Sequence, residues 1–226
     1  MRNTTWGRAA FTAGPLCMVA YGLLRLIDDR HGPGPDWSLG HLALLAGLLL
    51  FVPVFADLRD RAARGRGPVA RALAASGAVV GLAGAAAGAV QAAVDLAVAY
   101  CSADRATMDR LFEHVQSVPG VMPVVYTVGP VLFYVGLVLL LVQLAAQRAI
   151  APWRPAAVVA GVVVTAATLD LLPVGGLLFL LALAPLGPRG EDGVQPVVRS
   201  SATTGTSRPA RAARSLKSAK EESAAI

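Results

Sequence analysis

The chain has 226 residues, of which 55% are apolar and only 15% are charged. Soluble domains are about 45–50% apolar and about 25% charged, so this composition excludes a water-soluble globule. The mean hydropathy of +0.60 instead indicates an integral membrane protein. The net charge of +6 does not call for a nucleic acid partner, because membrane topology explains where the positive charge lies.

Uncharged runs of about 17–25 residues predict the transmembrane helices in chain order. The first four predicted spans are residues 9–27, residues 37–56, a segment within 71–100 and a segment within 119–147. The next apolar run, residues 155–188, would be about 51 Å long as one helix, which exceeds the ~30 Å hydrocarbon layer. Because residues 171–176 include one proline and two glycines, we expect the chain to turn there and to form two short helices.

The distribution of basic residues favours six spans over five. With six spans, 16 of the 20 Lys and Arg residues fall on one side of the membrane, and cytoplasmic loops are the segments that collect them. Five spans would move the basic tail to the other side and erase this bias. We therefore predict an all-α bundle, residues 1–188, with both termini inside, followed by a disordered basic tail at residues 189–226.

An amphipathic helix is predicted near residues 104–116, between the third and fourth spans. Its apolar side chains recur at positions i, i+3, i+4 and i+7, namely Met108, Leu111, Phe112 and Val115. Such a helix would lie on the outer surface and cap the bundle. A Gly-x-x-x-Gly pattern, Gly84 to Gly88 in the third span, permits close helix contact either within the bundle or in a homodimer.

Two acidic residues fall within or next to predicted spans. Asp95 follows 23 uncharged residues, and an acid inside a span costs about 2.5–3.5 kcal/mol on insertion scales, so it usually faces the bundle interior. Gln91 lies one turn earlier on the same helix face. Asp170 lies at the outer end of the fifth span. Alternatively, Asp95 makes a structural hydrogen bond between helices and Asp170 is an interfacial residue at a turn.

The surroundings of Asp95 decide what it can do. Burial favours the neutral form of a carboxylic acid, so we expect Asp95 to hold a proton unless Arg25, the cation nearest in depth, reaches it. A neutral acid can donate that proton. Tyr126 and Tyr134 in the fourth span offer aromatic faces that stabilise cations, although an interfacial position or helix packing explains them equally well.

No metal or cofactor is predicted. His41 and the adjacent pair Glu113 and His114 lie on the same predicted side as Asp95, but the chain has no metal-binding spacing such as His-x-x-x-His or Cys-x-x-Cys. The two cysteines, Cys17 and Cys101, fall at different predicted depths and are interpreted as free thiols.

Four segments carry a resemblance to known proteins: residues 40–42, 91–95, 126–133 and 168–173. Over about residues 8–188, the chain resembles small multi-span membrane proteins from actinobacterial proteomes rich in Ala, Arg and Gly. More loosely, its plan is similar to small membrane-bound terpene cyclases, which use intramembrane acids to protonate an isoprenoid. That resemblance implies an acid role for Asp95 and, less directly, for Asp170 or Glu113.

The leading hypothesis is therefore a multi-pass enzyme of the cell membrane that starts the cyclisation of an isoprenoid chain by protonation. In it, Asp95, Asp170 and Glu113 are the candidate catalytic residues, and a lipid-soluble substrate contacts Gln91, Tyr126, Tyr134, Arg25 and His41. The alternatives are a small proton-linked transporter, efflux or immunity protein, and a membrane scaffold without chemistry. The expected partners are a small lipid-soluble molecule and membrane lipid, with a homodimer left open.

Overall fold

The computed structural model describes residues 5–27 and 32–187, and this part of the chain is predominantly helical, without a strand. Seven α-helices follow one another: α1 Thr5–Ile27, α2 Pro35–Ala63, α3 Pro68–Tyr100, α4 Arg105–Ser117, α5 Gly129–Ala146, α6 Trp153–Ala167 and α7 Leu172–Leu183. A π-helical segment, Val121–Val128, leads into α5, and a 3₁₀ turn, Leu169–Leu171, joins α6 to α7. The predicted tail at residues 189–226 lies outside the described residues.

The helices form a polytopic bundle, which confirms the predicted fold class. Five segments of the described chain are long and apolar enough to cross a membrane: Ala9–Ile27, Pro35–Ala63, Pro68–Tyr100, Val121–Ala146 and Leu169–Leu186. The sixth, α6, is a shorter apolar helix of 15 residues. Around the bundle, α1 contacts α2, α2 contacts α3, α3 contacts α5, α5 contacts α6, α6 contacts α7, and α7 returns to α1. The six helices therefore enclose a common centre.

The turn between α6 and α7 differs in position from the prediction. The helix breaks at Thr168, whose backbone is extended, and not within residues 171–176. Pro173 lies in the first turn of α7, where its fixed φ angle and missing N–H suit a helix start. Gly175 is helical and packs directly against Thr165 of α6, so this glycine serves close helix packing and not a turn.

Glycines also set the contact between α3 and α5. A side chain at Gly84 would collide with the backbone of Phe133, and one at Gly136 would collide with the backbone of Gly81. The two helices approach closely only because these positions lack a Cβ. Gly84 thus packs inside the bundle, Gly88 faces Leu48 of α2, and the predicted homodimer stays a prediction.

The predicted amphipathic helix is confirmed as α4. Asp104 caps its start, accepting a hydrogen bond from the Thr107 amide at 2.7 Å, and the hydrogen bonds from Thr107 hold the pKa of Asp104 below its usual value. Met108 is buried beneath the helix. The Phe112 ring lies 6.1 Å from the ring of Trp37, between centroids, so α4 covers the end of the bundle where α2 begins.

The π-helical segment between α4 and α5 has a local cause. Pro130 has no N–H to donate, and in a regular α-helix its ring would clash with the carbonyl of Tyr126, four residues earlier. The wider π turn relieves this clash, and the Gly129 amide donates instead to the carbonyl of Val124, five residues earlier. Tyr126 lies on this widened turn and is thereby oriented toward α3.

Candidate functional site: a buried His–Asp pair beside a central cavity

Two buried polar side chains meet at the end of the bundle covered by α4. Asp95 is near the end of α3 and His41 is near the start of α2, and each residue is only 5% exposed. His41 Nε2 lies 3.4 Å from Asp95 Oδ2. The predicted inward orientation of the Asp95 side chain is thus present in the structure.

Two further residues hold Asp95 in place. The Tyr126 hydroxyl donates a hydrogen bond to Asp95 Oδ1 at 2.7 Å. The indole Nε1 of Trp37 donates to the backbone carbonyl of Asp95 at 3.3 Å, which ties the start of α2 to the end of α3. The carboxylate is therefore held between His41 of α2 and Tyr126 of the π-helical segment, while Trp37 holds the backbone of Asp95.

The hydrogen-bond partners limit where the pair can hold a proton. The carbonyl oxygen of Trp37 lies 2.9 Å from His41 Nδ1 and can only accept, so Nδ1 carries a hydrogen. The Tyr126 hydroxyl donates its hydrogen to Oδ1 of Asp95. His41 Nε2 and Asp95 Oδ2 face each other at 3.4 Å, so these two atoms can share a proton.

An aromatic shell surrounds the imidazole of His41. The Trp37 ring stacks on it with centroids 4.3 Å apart, and the Tyr21 ring meets it edge-on at 5.4 Å. Neither residue was among the predicted site residues. Helical spacing could have found both, because Trp37 lies four residues before His41 and Tyr21 lies four residues before Arg25.

Arg25 and His41 line a narrow crevice. The crevice has room for about one water molecule, and it is lined by Tyr21, Arg25, Asp36, Trp37 and His41 among others. Within the described residues Arg25 forms no ion pair with Asp95, and its Nε atom is buried without a hydrogen bond. Arg25 thus shares this crevice with His41 but makes no ion pair with Asp95.

A larger cavity of about 190 Å³ lies at the centre of the helix ring. Residues from all six helices of the ring and from the turn before α7 line it: Met18 and Tyr21 from α1, Leu44 and Leu48 from α2, Gly84, Gly88 and Gln91 from α3, Pro130, Phe133 and Tyr134 from α5, Thr165 from α6, Leu169 from the 3₁₀ turn and Leu172 from α7. No formal charge lines it. Gln91 and Tyr134, two of the predicted substrate contacts, line this cavity, and their contact with a substrate stays a prediction; Asp95 is one helical turn beyond the wall.

Two polar side chains in the cavity wall have open hydrogen-bonding capacity. The Gln91 amide and the Tyr134 hydroxyl make no hydrogen bond within the part of the chain that the structure describes. By contrast, Gln143 donates to the Ala70 carbonyl at 2.7 Å and Gln147 donates to the Ala62 carbonyl at 2.9 Å. The Gln91 amide and the Tyr134 hydroxyl are therefore available to hydrogen-bond a ligand in the cavity.

The other two candidate acids do not join the pair. Asp170 is exposed on the 3₁₀ turn between α6 and α7, and Glu113 is exposed on α4. In the described chain, the Asp95 carboxylate contacts His41 and Tyr126. Among the described residues no cluster of three His, Cys, Asp or Glu side chains could hold a metal ion. The catalytic roles assigned to Asp170 and Glu113 stay predictions.

No protein-family model, curated protein or solved structure matches the chain. The resemblances drawn from short sequence segments therefore stay predictions, and function has to be argued from the geometry of the pair and the cavity.

Proposed function

We propose that this protein is a small proton-linked transporter of the cell membrane. It binds a neutral, lipid-soluble molecule in the central cavity and couples that binding to the proton shared by His41 and Asp95. The observation that carries the proposal is the juxtaposition of a buried His41–Asp95 pair, which can share a proton, and a cavity whose wall includes the Gln91 amide and the Tyr134 hydroxyl. Intramembrane Asp and His side chains commonly serve proton transfer in transporters.

The position of Asp95 favours transport over acid catalysis. A general acid must come within hydrogen-bond reach of the atom that it protonates. The carboxylate of Asp95 is occupied by His41 and Tyr126 and does not line the cavity. A coupling site one turn away from the ligand, in contrast, suits a protein in which proton and ligand bind separately and influence each other.

The interrupted helices support the same function. The α6–α7 hairpin turns after 15 residues, about 22 Å at ~1.5 Å per residue, which is shorter than the ~30 Å hydrocarbon layer. Leu169 and Leu172 at this turn line the cavity. Transporters typically place substrate sites beside such interrupted helices, where irregular backbone can line a cavity inside the membrane.

Protonation-initiated chemistry on an isoprenoid is the second candidate, and one observation favours it. The rings of Tyr21, Phe133 and Tyr134 line the cavity and would stabilise a carbocation. In that reaction a proton adds to a carbon–carbon double bond and a later proton loss ends it, so no further reactant is needed.

The test measures the binding of 1-aminoanthracene, a neutral fluorescent probe with one hydrogen-bonding group, to the full chain in lipid nanodiscs at pH 5.5 and pH 8. If ligand binding changes the proton affinity of the pair, linkage requires that protonation changes the ligand affinity by the same factor. We expect the dissociation constants of the probe at the two pH values to differ by about fivefold or more. Asp95→Asn should abolish this pH dependence. Asp109→Asn, which removes an exposed acid of α4 paired with Arg105, should preserve it.

A second pair of variants locates the probe. Leu44→Trp should fill the cavity and abolish binding, whereas Leu42→Trp, on the lipid-facing side of the same helix, should leave it intact. Equal binding to both variants would show that the probe lies elsewhere, and pH-independent binding to the wild type would refute the coupling.

The same proteins separate the two candidate functions. Supplied with a prenyl substrate, an enzyme should yield a cyclised or isomerised product that disappears with Asp95→Asn. A transporter should return the substrate unchanged while still showing pH-linked binding of 1-aminoanthracene.

A further inference from the structure

A second apolar space lies between α5 and α6, on the outside of the bundle. This groove has a volume of about 260 Å³ and is lined by Tyr134, Val135, Val138, Leu139, Val159, Val162 and Val163. Val135, Leu139, Val159 and Val163 are exposed. In a membrane-spanning bundle, exposed aliphatic side chains at mid-helix face lipid, so the groove opens toward the hydrocarbon chains of the bilayer.

Tyr134 connects this groove to the central cavity, because the same side chain lines both spaces. Its ring packs edge-on against Phe133 and Phe179, with centroids 5.4 Å and 5.9 Å apart. The Tyr134 hydroxyl has no hydrogen-bond partner among the described residues. The groove has a wholly apolar lining, to which Tyr134 contributes its ring, whereas the central cavity has polar lining as well.

The volumes of the cavity and the groove are compatible with one shared ligand site. Sites for drug-sized ligands occupy about 300–1,000 Å³, which is more than the central cavity or the groove offers alone. Taken together, the two spaces fall within that range. A single molecule that occupies both would satisfy the polar groups with one end and fill the aliphatic groove with the other.

We propose that the cavity and the groove form one binding site for a neutral single-chain amphiphile. Its hydroxyl or carbonyl head group bonds to Gln91 and Tyr134 in the cavity, and its hydrocarbon chain lies in the groove between α5 and α6. Tyr134 stands at the junction of the two parts. The ligand therefore reaches the cavity from within the bilayer, and this inference rests on the proposed function.

Photo-labelling of the full chain in nanodiscs tests the inference. The probe is dodecanol with a diazirine at mid-chain, and the control probe is the matching dodecane without the hydroxyl group. Peptides that contain residues 135–139 and 159–163 should be labelled about threefold or more strongly by the alcohol, the gain expected from a hydrogen bond within a membrane. Equal labelling by the two probes would mean that the groove is covered only by bulk lipid chains and would overturn the proposal.

Matched variants on one face of α5 sharpen the test. Val135→Trp fills the groove and should remove the extra labelling. Val142→Trp, two turns further along the same face, should keep it; the two valines are 42% and 49% exposed, and Val142 does not line the groove. Val163→Trp on α6 provides a second groove-filling variant, in case the first disturbs folding.

Binding of 1-aminoanthracene, measured in parallel, separates failure of this proposal from failure of the proposed function. If the aromatic probe binds with its pH dependence but groove labelling does not respond to Val135→Trp or Val163→Trp, the chain site is wrong and the cavity function stands. If 1-aminoanthracene binding is also indifferent to Leu44→Trp, the proposed function fails, and this inference fails with it.

Discussion

At the scale of single residues, the His41–Asp95 pair owes its geometry to its third partner. The Tyr126 hydroxyl occupies one carboxylate oxygen, which leaves the other to face the imidazole. The backbone carbonyl of Trp37 fixes the imidazole from the opposite side by accepting a hydrogen bond from Nδ1. Each of the four side-chain polar atoms of the pair thus has a partner within the described residues.

Tyr126→Phe removes the hydrogen bond to Asp95 while it keeps the ring. Hydrogen bonds between membrane helices contribute about 0.6 kcal/mol on average and up to about 1.7 kcal/mol, and bonds to charged groups lie at the upper end. We therefore expect the free energy of unfolding in mixed micelles to fall by about 1–2 kcal/mol. Tyr100→Phe, at a residue that is 92% exposed, should leave it unchanged. Equal effects of the two substitutions would show that the hydroxyl of Tyr126 contributes nothing.

At the scale of helices, hydropathy predicted the apolar helices well because it depends on composition over several turns, whereas the six-span count and the orientation drawn from charge stay predictions. The amphipathic α4 was predictable for the same reason, since its apolar face repeats with the period of a helix. The turn after α6 was placed too late, because the proline and glycines of residues 171–176 were interpreted as breakers. They instead start α7 and allow it to pack against α6.

The candidate site was predictable only in part. Asp95, Gln91 and Tyr134 stood out because polar groups are rare in apolar spans. The pairing of Asp95 with His41 was not predictable in detail, because it depends on the rotation of α2 relative to α3. The contact with Tyr126 further depends on the π-helical segment Val121–Val128, whose wider turns change the direction of its side chains.

A graded pair of glycine substitutions tests the close contact of α3 with its neighbours. Gly84→Ala places a Cβ against the backbone of Phe133, which cannot yield, so α3 and α5 must separate. We expect this overpacking to cost about 1–3 kcal/mol of unfolding free energy. The Cβ added by Gly88→Ala would meet only the side chain of Leu48, whose nearest atom is a methyl carbon 3.0 Å away, so this substitution should cost clearly less. Thermal unfolding of the purified variants would measure both, and the reverse order would contradict the packing described.

At the scale of the whole molecule, the chain's own cysteines test the predicted orientation. Both are free thiols: Cys101 is exposed at the end of α3, on the predicted outer side, and Cys17 lies within α1. A membrane-impermeant maleimide applied to intact cells should label Cys101, and the label should vanish with Cys101→Ser but persist with Cys17→Ser. Labelling that requires opened cells would reverse the orientation and place the His41–Asp95 pair at the cytoplasmic end.

The stacking of Trp37 on His41 gives the molecule an optical readout of its proton. An excited indole loses its emission to a charged imidazolium at van der Waals distance far more readily than to a neutral imidazole, and the two rings are nearly parallel at 28°. The chain contains three tryptophans, so replacing Trp6 and Trp153 by Phe leaves one indole. Its brightness then follows the charge state of His41 in an intact bilayer, with no dye attached.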